Sequence, residues 1–202
     1  MRAFIAVDLS EELRAKIKEV QKQFANLEID QSRLKLKFVN AWQAHQTVKF
    51  LGDVPENKVE DVKRELAGIS QKPFDIGMRG VGFFPEASPE KARNIRVVWI
   101  GIEKGVEELK ALQEEVESRL RALGFPSEKR FSAHVTICRV KMTSRAGTGT
   151  RDEIGRILKK IAELEDVEVG EMPVEELKLK KSTLTPKGPI YEDVYVKKLN
   201  AL

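Results

Sequence analysis

The chain has 202 residues, of which 41% are hydrophobic and 34% charged, a balance that excludes a disordered chain and suits a globular core under an ionic surface. Its 36 basic and 32 acidic residues leave a formal charge of +4, which helps attract a polyanion without requiring one. A single cysteine, Cys138, excludes an internal disulfide and any cysteine-cluster metal site, and two histidines without an H-E-x-x-H pattern argue against a zinc centre.

The apolar start Ala3 to Val7 stops at Asp8, too short for a signal peptide or a membrane span, so a cytoplasmic protein with no membrane partner is expected. Leu13, Ile17, Val20, Phe24 and Leu27 follow Ser10 at helical spacing, with Glu11 and Glu12 at the positive end of the helix dipole. Leu34, Leu36 and Phe38 alternate with basic residues as on a half-buried strand, and His45 to Leu51 reads as a second strand. Pro55 opens a helix with the stripe Val59, Val62, Leu66 and Ile69. The alternating Phe74, Ile76 and Met78, a turn at Phe84-Pro85 and the β-rich run Ile95 to Ile102 complete the first half.

The second half repeats this order. A helix with Leu109, Leu112, Val116, Leu120 and Leu123 ends at Gly124, in the position of a C′ glycine. A strand from Ala133 to Val140 precedes a helix carrying Ile154, Ile157, Leu158, Ile161 and Leu164. Alternating Leu177 and Leu179, a turn at Leu184-Thr185-Pro186 and a strand from Ile190 to Leu199 close the chain. The expected organisation is one bilobal domain over 1–202, with a repeated unit at roughly 10–102 and 104–199 related by an approximate two-fold, and strands open to exchange between lobes. The stretch Thr143 to Thr150 has no counterpart and reads as an inserted surface loop.

Both halves place a histidine in the same slot: His45-Gln46-Thr47-Val48 and His134-Val135-Thr136-Ile137. Residues two apart on a strand share a face, so each strand offers an imidazole beside a hydroxyl. Cleaving a phosphoester needs a base for the attacking oxygen and an acid for the departing one, on opposite sides of phosphorus. Two histidines across a cleft supply both, and Thr47 and Thr136 would donate to the nonbridging oxygens. A lone H-x-T is more often structural; here the only two histidines both carry it, at equivalent positions.

Taken with the opening Met1-Arg2-Ala3-Phe4-Ile5-Ala6, the continuation Phe50-Leu51-Gly52, the Gly82-Phe83-Phe84-Pro85 turn and the run Lys181-Ser182-Thr183-Leu184-Thr185-Pro186-Lys187-Gly188-Pro189-Ile190-Tyr191, the chain resembles the two-histidine phosphoesterases. Within them it is similar to the bacterial and archaeal RNA 2′,3′-cyclic phosphodiesterases, also called 2′-5′ RNA ligases. The resemblance implies an α+β fold of two pseudo-symmetric lobes, each an antiparallel sheet with two helices, around a central cleft. It implies hydrolysis of a terminal 2′,3′-cyclic phosphate on RNA to a 2′-phosphate with no metal and no cofactor, His134 acting as base and His45 as acid. It further implies that Arg139 contacts the phosphate or sugar and that Phe50 stacks on the terminal base. Strict strand alternation, however, points Phe50 and Arg139 away from the histidine face, toward a core and an ion-pair role respectively. Gln46, Val48 and Ala41-Trp42-Gln43-Ala44 depart from the family pattern; Gln46 should face the core and need hydrogen-bond partners, and Trp42 reads as a core aromatic in preference to a base-stacking platform. Alternation also places Cys138 on the His134 face as a packing residue. Lys35, Lys37, Lys49, Lys180, Lys181 and Lys187 offer a basic rim or merely guard strand edges. Ligation through the same histidines and non-catalytic binding of RNA ends are the alternative readings, and a monomer is expected.

Overall fold

The opening apolar run is a strand buried on both faces. In the computed structural model, which describes residues 1–87, 94–127, 131–143, 150–186 and 188–200, β1 is Arg2–Asp8, with Ala3 to Val7 all buried, as the centre of a covered sheet requires. The helix α1 (Glu11–Ala25) starts where Ser10 Oγ accepts from the Leu13 N–H at 3.2 Å and buries Leu13, Ile17, Val20 and Phe24. After β2 (Leu34–Phe38), a single 3₁₀ turn at Ala41–Gln43 is capped by Asn40 Oδ1 accepting from Trp42 N–H at 3.1 Å. There follow β3 (His45–Asp53), α2 (Glu56–Ala67), β4 (Phe74–Phe84), β5 (Val97–Lys104), α3 (Val106–Arg121), β6 (His134–Met142), α4 (Thr150–Glu163), β7 (Glu168–Val174), β8 (Glu176–Thr185) and β9 (Gly188–Lys198).

These strands form two sheets, one ordered β3-β1-β8-β9 and the other β2-β6-β5-β4-β7, with every pairing antiparallel. The helix α3 packs on β3, and α2 packs on α3 and β9. On the other sheet α1 lies against β6 and β7, and α4 against β4 and α1. Each sheet therefore carries two helices. The sheets are not built from the contiguous halves: the β4–β5 hairpin pairs with the His134 strand, whereas β8–β9 joins the His45 strand through β1.

Neither β1 nor β7 is predicted as an element by the periodicity of the sequence. Gly124 adopts φ +85°, but it follows the Ala122 cap by two residues and so lies one position beyond C′. Most of the expected inserted loop, residues 144–149, lies outside the described residues; Thr143 at its start donates its backbone N–H to the Arg33 carbonyl at 2.9 Å. No helix among the described residues is long and apolar enough to cross a membrane.

Candidate active site

Both histidine strands contain the same irregularity. Opposite β3, Ala6 faces Thr47 and Ile5 faces Lys49, so Val48 is an extra residue. Opposite β6, Trp99 faces Thr136 and Val98 faces Cys138, so Ile137 is the extra one. A bulge of this kind re-aims every side chain after it. The burial pattern follows: Gln46, Val48, Lys49 and Leu51 point inward while His45, Thr47 and Phe50 point outward, and on β6 Val135, Ile137, Cys138 and Val140 point inward while His134, Thr136 and Arg139 point outward. The bulges thus bring Phe50, 63% exposed, and Arg139 onto the histidine faces, correcting the expectation from strict alternation. They also remove Cys138 from that face; it is fully buried and its thiol is pushed up to about 12 by burial.

Each imidazole is anchored in the same way. His45 Nδ1 donates to the Gln43 carbonyl at 2.8 Å and His134 Nδ1 to the Ser132 carbonyl at 3.0 Å, in both cases two residues upstream. That bond fixes the tautomer with the proton on Nδ1 and leaves the Nε2 lone pair for chemistry. Aromatic walls hold the rings: Phe4 stacks on His45 at 4.8 Å with Tyr191 edge-on at 5.3 Å, and Phe84 stands edge-on to His134 at 5.0 Å beside Trp99 at 6.2 Å. Gly82 makes room for Trp99, because a Cβ there would lie 2.3 Å from the indole.

Burial lowers the pKa of both imidazoles below the ordinary 6.5, against the raising effect of the carbonyl bonds. Their charged neighbours differ. The Asp8 carboxylate favours the His45 cation, against weaker opposition from Lys180 and Arg14, whereas the Arg139 guanidinium opposes the His134 cation. The charges beside the two imidazoles thus act on them in opposite senses.

Gln46 ties the two strands together. Fully buried, it accepts through Oε1 from the His134 N–H at 2.8 Å and donates through Nε2 to the Thr47 carbonyl at 2.7 Å and the Ser132 carbonyl at 3.4 Å. Strand β2 pairs with β6 only from Cys138 onward, so at His134 the edge of β6 away from β5 has no ladder partner among the described residues. The Gln46 amide takes the place of a ladder partner there. This supplies the hydrogen-bond partners expected for Gln46 and places the two motifs side by side.

Lys49, Lys180 and Trp42 lie elsewhere than their sequence pattern suggests. Lys49 is buried, donating to Glu117 at 2.7 Å and to the Pro126 carbonyl at 2.7 Å, and Lys180 is buried between Asp8 and Asp193; neither belongs to an exposed basic rim. Trp42 is not in the core but 50% exposed, because the 3₁₀ turn buries Ala41 and turns the indole out. Lys187 lies outside the described residues. No cluster of metal-ligating side chains occurs among the described residues. The role of the aromatic walls and the anchoring carbonyls escapes sequence reasoning: Phe4, Phe84 and Tyr191 lie in the runs that carry the resemblance, but only the pairing of β1, β4, β5 and β9 brings them and Trp99 to the histidines.

A model of the LigT-like phosphoesterases matches residues 7–97 and 100–191, segments that contain one histidine strand each. The chain belongs to this family. It is 40% identical to a protein of Methanothermobacter thermautotrophicus named RNA 2′,3′-cyclic phosphodiesterase, over 98% of this chain and 99% of the relative. A protein of the same name from Archaeoglobus fulgidus is 38% identical over 97% and 99%. Among solved structures, TT0787 of Thermus thermophilus superposes with a TM-score of 0.71 at 29% identity, covering 98% of both chains. Escherichia coli LigT complexed with 3′-AMP superposes at 0.72 and 20% identity over 99% and 98%, a likeness of fold. The α+β architecture of two antiparallel sheets and four helices is thus that of the LigT-like phosphoesterases.

Proposed function

We infer that this LigT-like phosphoesterase hydrolyses terminal 2′,3′-cyclic phosphates on RNA to 2′-phosphates, using His45 and His134 for both proton transfers. The observation that carries the reading is the pair of equivalently bulged strands, each presenting an imidazole with Nδ1 spent on a backbone carbonyl and Nε2 unspent. The names of relatives aligned over nearly the whole chain support the substrate class.

In this mechanism His134 Nε2 takes a proton from water as its oxygen bonds to phosphorus. His45, charged with a proton that Asp8 favours, delivers it to the 3′-oxygen as the P–O3′ bond breaks. The two proton movements balance, so the resting state returns after exchange of one proton with solvent. Thr47 and Thr136, on the same outward faces, donate to the nonbridging oxygens, where charge is held during displacement. Arg139 pairs with the phosphate and Phe50 stacks on the terminal base. The small net positive charge and a site complete within one chain suit a monomer acting on RNA in the cytoplasm.

The test is an RNA oligomer ending in a 2′,3′-cyclic phosphate, incubated with EDTA and wild type, His45→Ala or His134→Ala, with the 2′- and 3′-phosphate products resolved. The expected result is 2′-phosphate with wild type and a loss of at least about 10²-fold in each variant. A folded wild type that binds the oligomer but forms no product would overturn the reading.

A further inference from the structure

The Phe50 side is only one of two directions out of the histidine site. On the other side of His45 lies a cavity of about 350 Å³ lined by Asp8, Arg14, Trp42, Gln43, Lys180, Tyr191 and Asp193. It touches the site directly: Asp8 faces His45 across the β1–β3 ladder, Tyr191 stands edge-on to the imidazole, and Gln43 supplies its anchoring carbonyl. None of the roles assigned so far to Phe50, Arg139 or the threonines uses this space.

The lining narrows the class of occupant. Asp8 and Asp193 oppose an anion such as a second phosphate, while Lys180, Arg14 and the adjoining Lys178 oppose a cation. These charges are largely paired, with one positive charge in excess: Lys180 lies 2.8 Å from Asp8 and also contacts Asp193, Lys178 lies 3.1 Å from each carboxylate, and Arg14 reaches Asp8 only at 3.8 Å. They form a rigid set of donors and acceptors, each carboxylate oxygen keeping lone pairs beyond its ion pair. Two features are costly in the free protein. Arg14 Nε is buried with no hydrogen-bond partner among the described residues, a cost that folded proteins seldom carry without an acceptor to come. Trp42 exposes half of a large apolar ring at the cavity wall, its backbone fixed by the Asn40 cap. A neutral, flat ligand with hydrogen-bonding edges meets all of these conditions.

We propose that this cavity is a subsite for the base of a second nucleotide, stacked on Trp42 and read along its edge by Arg14 and the Asp8/Asp193 carboxylates. The proposal rests on the phosphodiesterase reading, which puts the terminal base on Phe50. A nucleotide carries its base on one side of its own phosphate, and on the Phe50 side the Phe4 ring stands between the two groups, 4.8 Å from His45 and 6.4 Å from Phe50. The terminal nucleotide cannot fill both sides. The second base comes either from the 5′ neighbour in the same strand or from an incoming strand whose 5′-hydroxyl takes the place of water; both present the same chemistry to the cavity.

The experiment compares a mononucleoside 2′,3′-cyclic phosphate with a dinucleotide bearing the same end, for wild type, Trp42→Ala and Trp42→Phe. If the base comes from the same strand, wild type favours the dinucleotide in kcat/KM. Trp42→Ala then lowers the dinucleotide-to-mononucleotide ratio about tenfold, in the range of one base–aromatic stack, and Trp42→Phe restores most of it. If it comes from an incoming strand, that ratio stays constant and Trp42→Ala instead lowers the yield of 2′-5′ joining to a 5′-hydroxyl dinucleotide. An unchanged ratio together with unchanged joining overturns the subsite. Equilibrium titration with the 2′-phosphorylated dinucleotide separates this failure from that of the parent reading. Equal affinity of wild type and Trp42→Ala for both this dinucleotide and a 5′-hydroxyl dinucleotide refutes the subsite even if neither protein hydrolyses anything, and weaker binding of either by Trp42→Ala upholds it when hydrolysis is absent.

Discussion

Replacing Gln46 by leucine tests whether the two histidine strands depend on one amide for their relative placement. Leucine preserves the buried bulk but removes the acceptor for the His134 N–H and the donor to the Thr47 and Ser132 carbonyls. Ser132 keeps the His134 Nδ1–H, so the group left unpaired is chiefly the His134 N–H. Leaving one such group unsatisfied costs about 1–3 kcal/mol, which for a chain of this size lowers Tm by a few degrees. The effect on turnover should be larger than that loss suggests, because the displaced peptide is the one that carries the base, and a shift of about 1 Å can cost on the order of 10²-fold. We expect kcat on an RNA 2′,3′-cyclic phosphate to fall between about tenfold and a hundredfold, with KM changing less, assayed well below the unfolding transition. Gln46→Glu discriminates further. A carboxylate there still accepts from His134 N–H, yet its charge favours the imidazolium, so the acid limb of kcat/KM moves to higher pH. A Gln46→Leu variant with lowered Tm but unchanged kcat and pH profile would show that the amide merely fastens the lobes.

Burial holds both imidazoles below 6.5, and turnover needs His134 neutral and His45 charged at once. The bell for kcat/KM should centre below 6.5, and the kcat profile should lie higher, since bound phosphate favours imidazolium; a kcat/KM optimum near or above about pH 8 would contradict this. Combining His45→Ala with His134→Ala should cost scarcely more than either alone, as the two act as a unit; fully multiplicative losses would refute that coupling. Thr47→Val and Thr136→Val should each lower kcat by about 10²-fold if their hydroxyls hold transition-state charge, and changes confined to KM would count against that role. Lys49→Met breaks a buried pair with Glu117 and should destabilise the fold by about 3–5 kcal/mol, whereas Lys49→Met with Glu117→Leu should recover most of the loss in thermal unfolding.

How much of this site is legible in the sequence depends on what a period can show. Regular helices and the two H-x-T strands are visible because 3.6- and 2-residue periods express themselves in apolar spacing. A bulge adds one residue to one strand, so it appears as a change of step and not as a motif. That step is present: the inward apolar residues run 48 to 51 on one strand and 137, 138, 140 on the other, where alternation allows only even steps. Reading the odd step in both strands together would place Phe50 and Arg139 on the histidine faces without a structure. The strand β7 stays hidden because an edge strand is disguised by the residues that protect it, here Pro173 and the acidic Glu168 and Glu171. The strand β1 is concealed for the opposite reason: buried on both faces, it is uniformly apolar and has no period. The pairing of His45 with Phe4 and Tyr191, and of His134 with Phe84 and Trp99, lies beyond local pattern altogether. It depends on which hairpin joins which histidine strand, and that exchange is decided by long-range sheet pairing. The site is consequently specified at two scales: each strand fixes its own imidazole through a carbonyl two residues away, and the exchanged hairpins supply the walls that set its basicity.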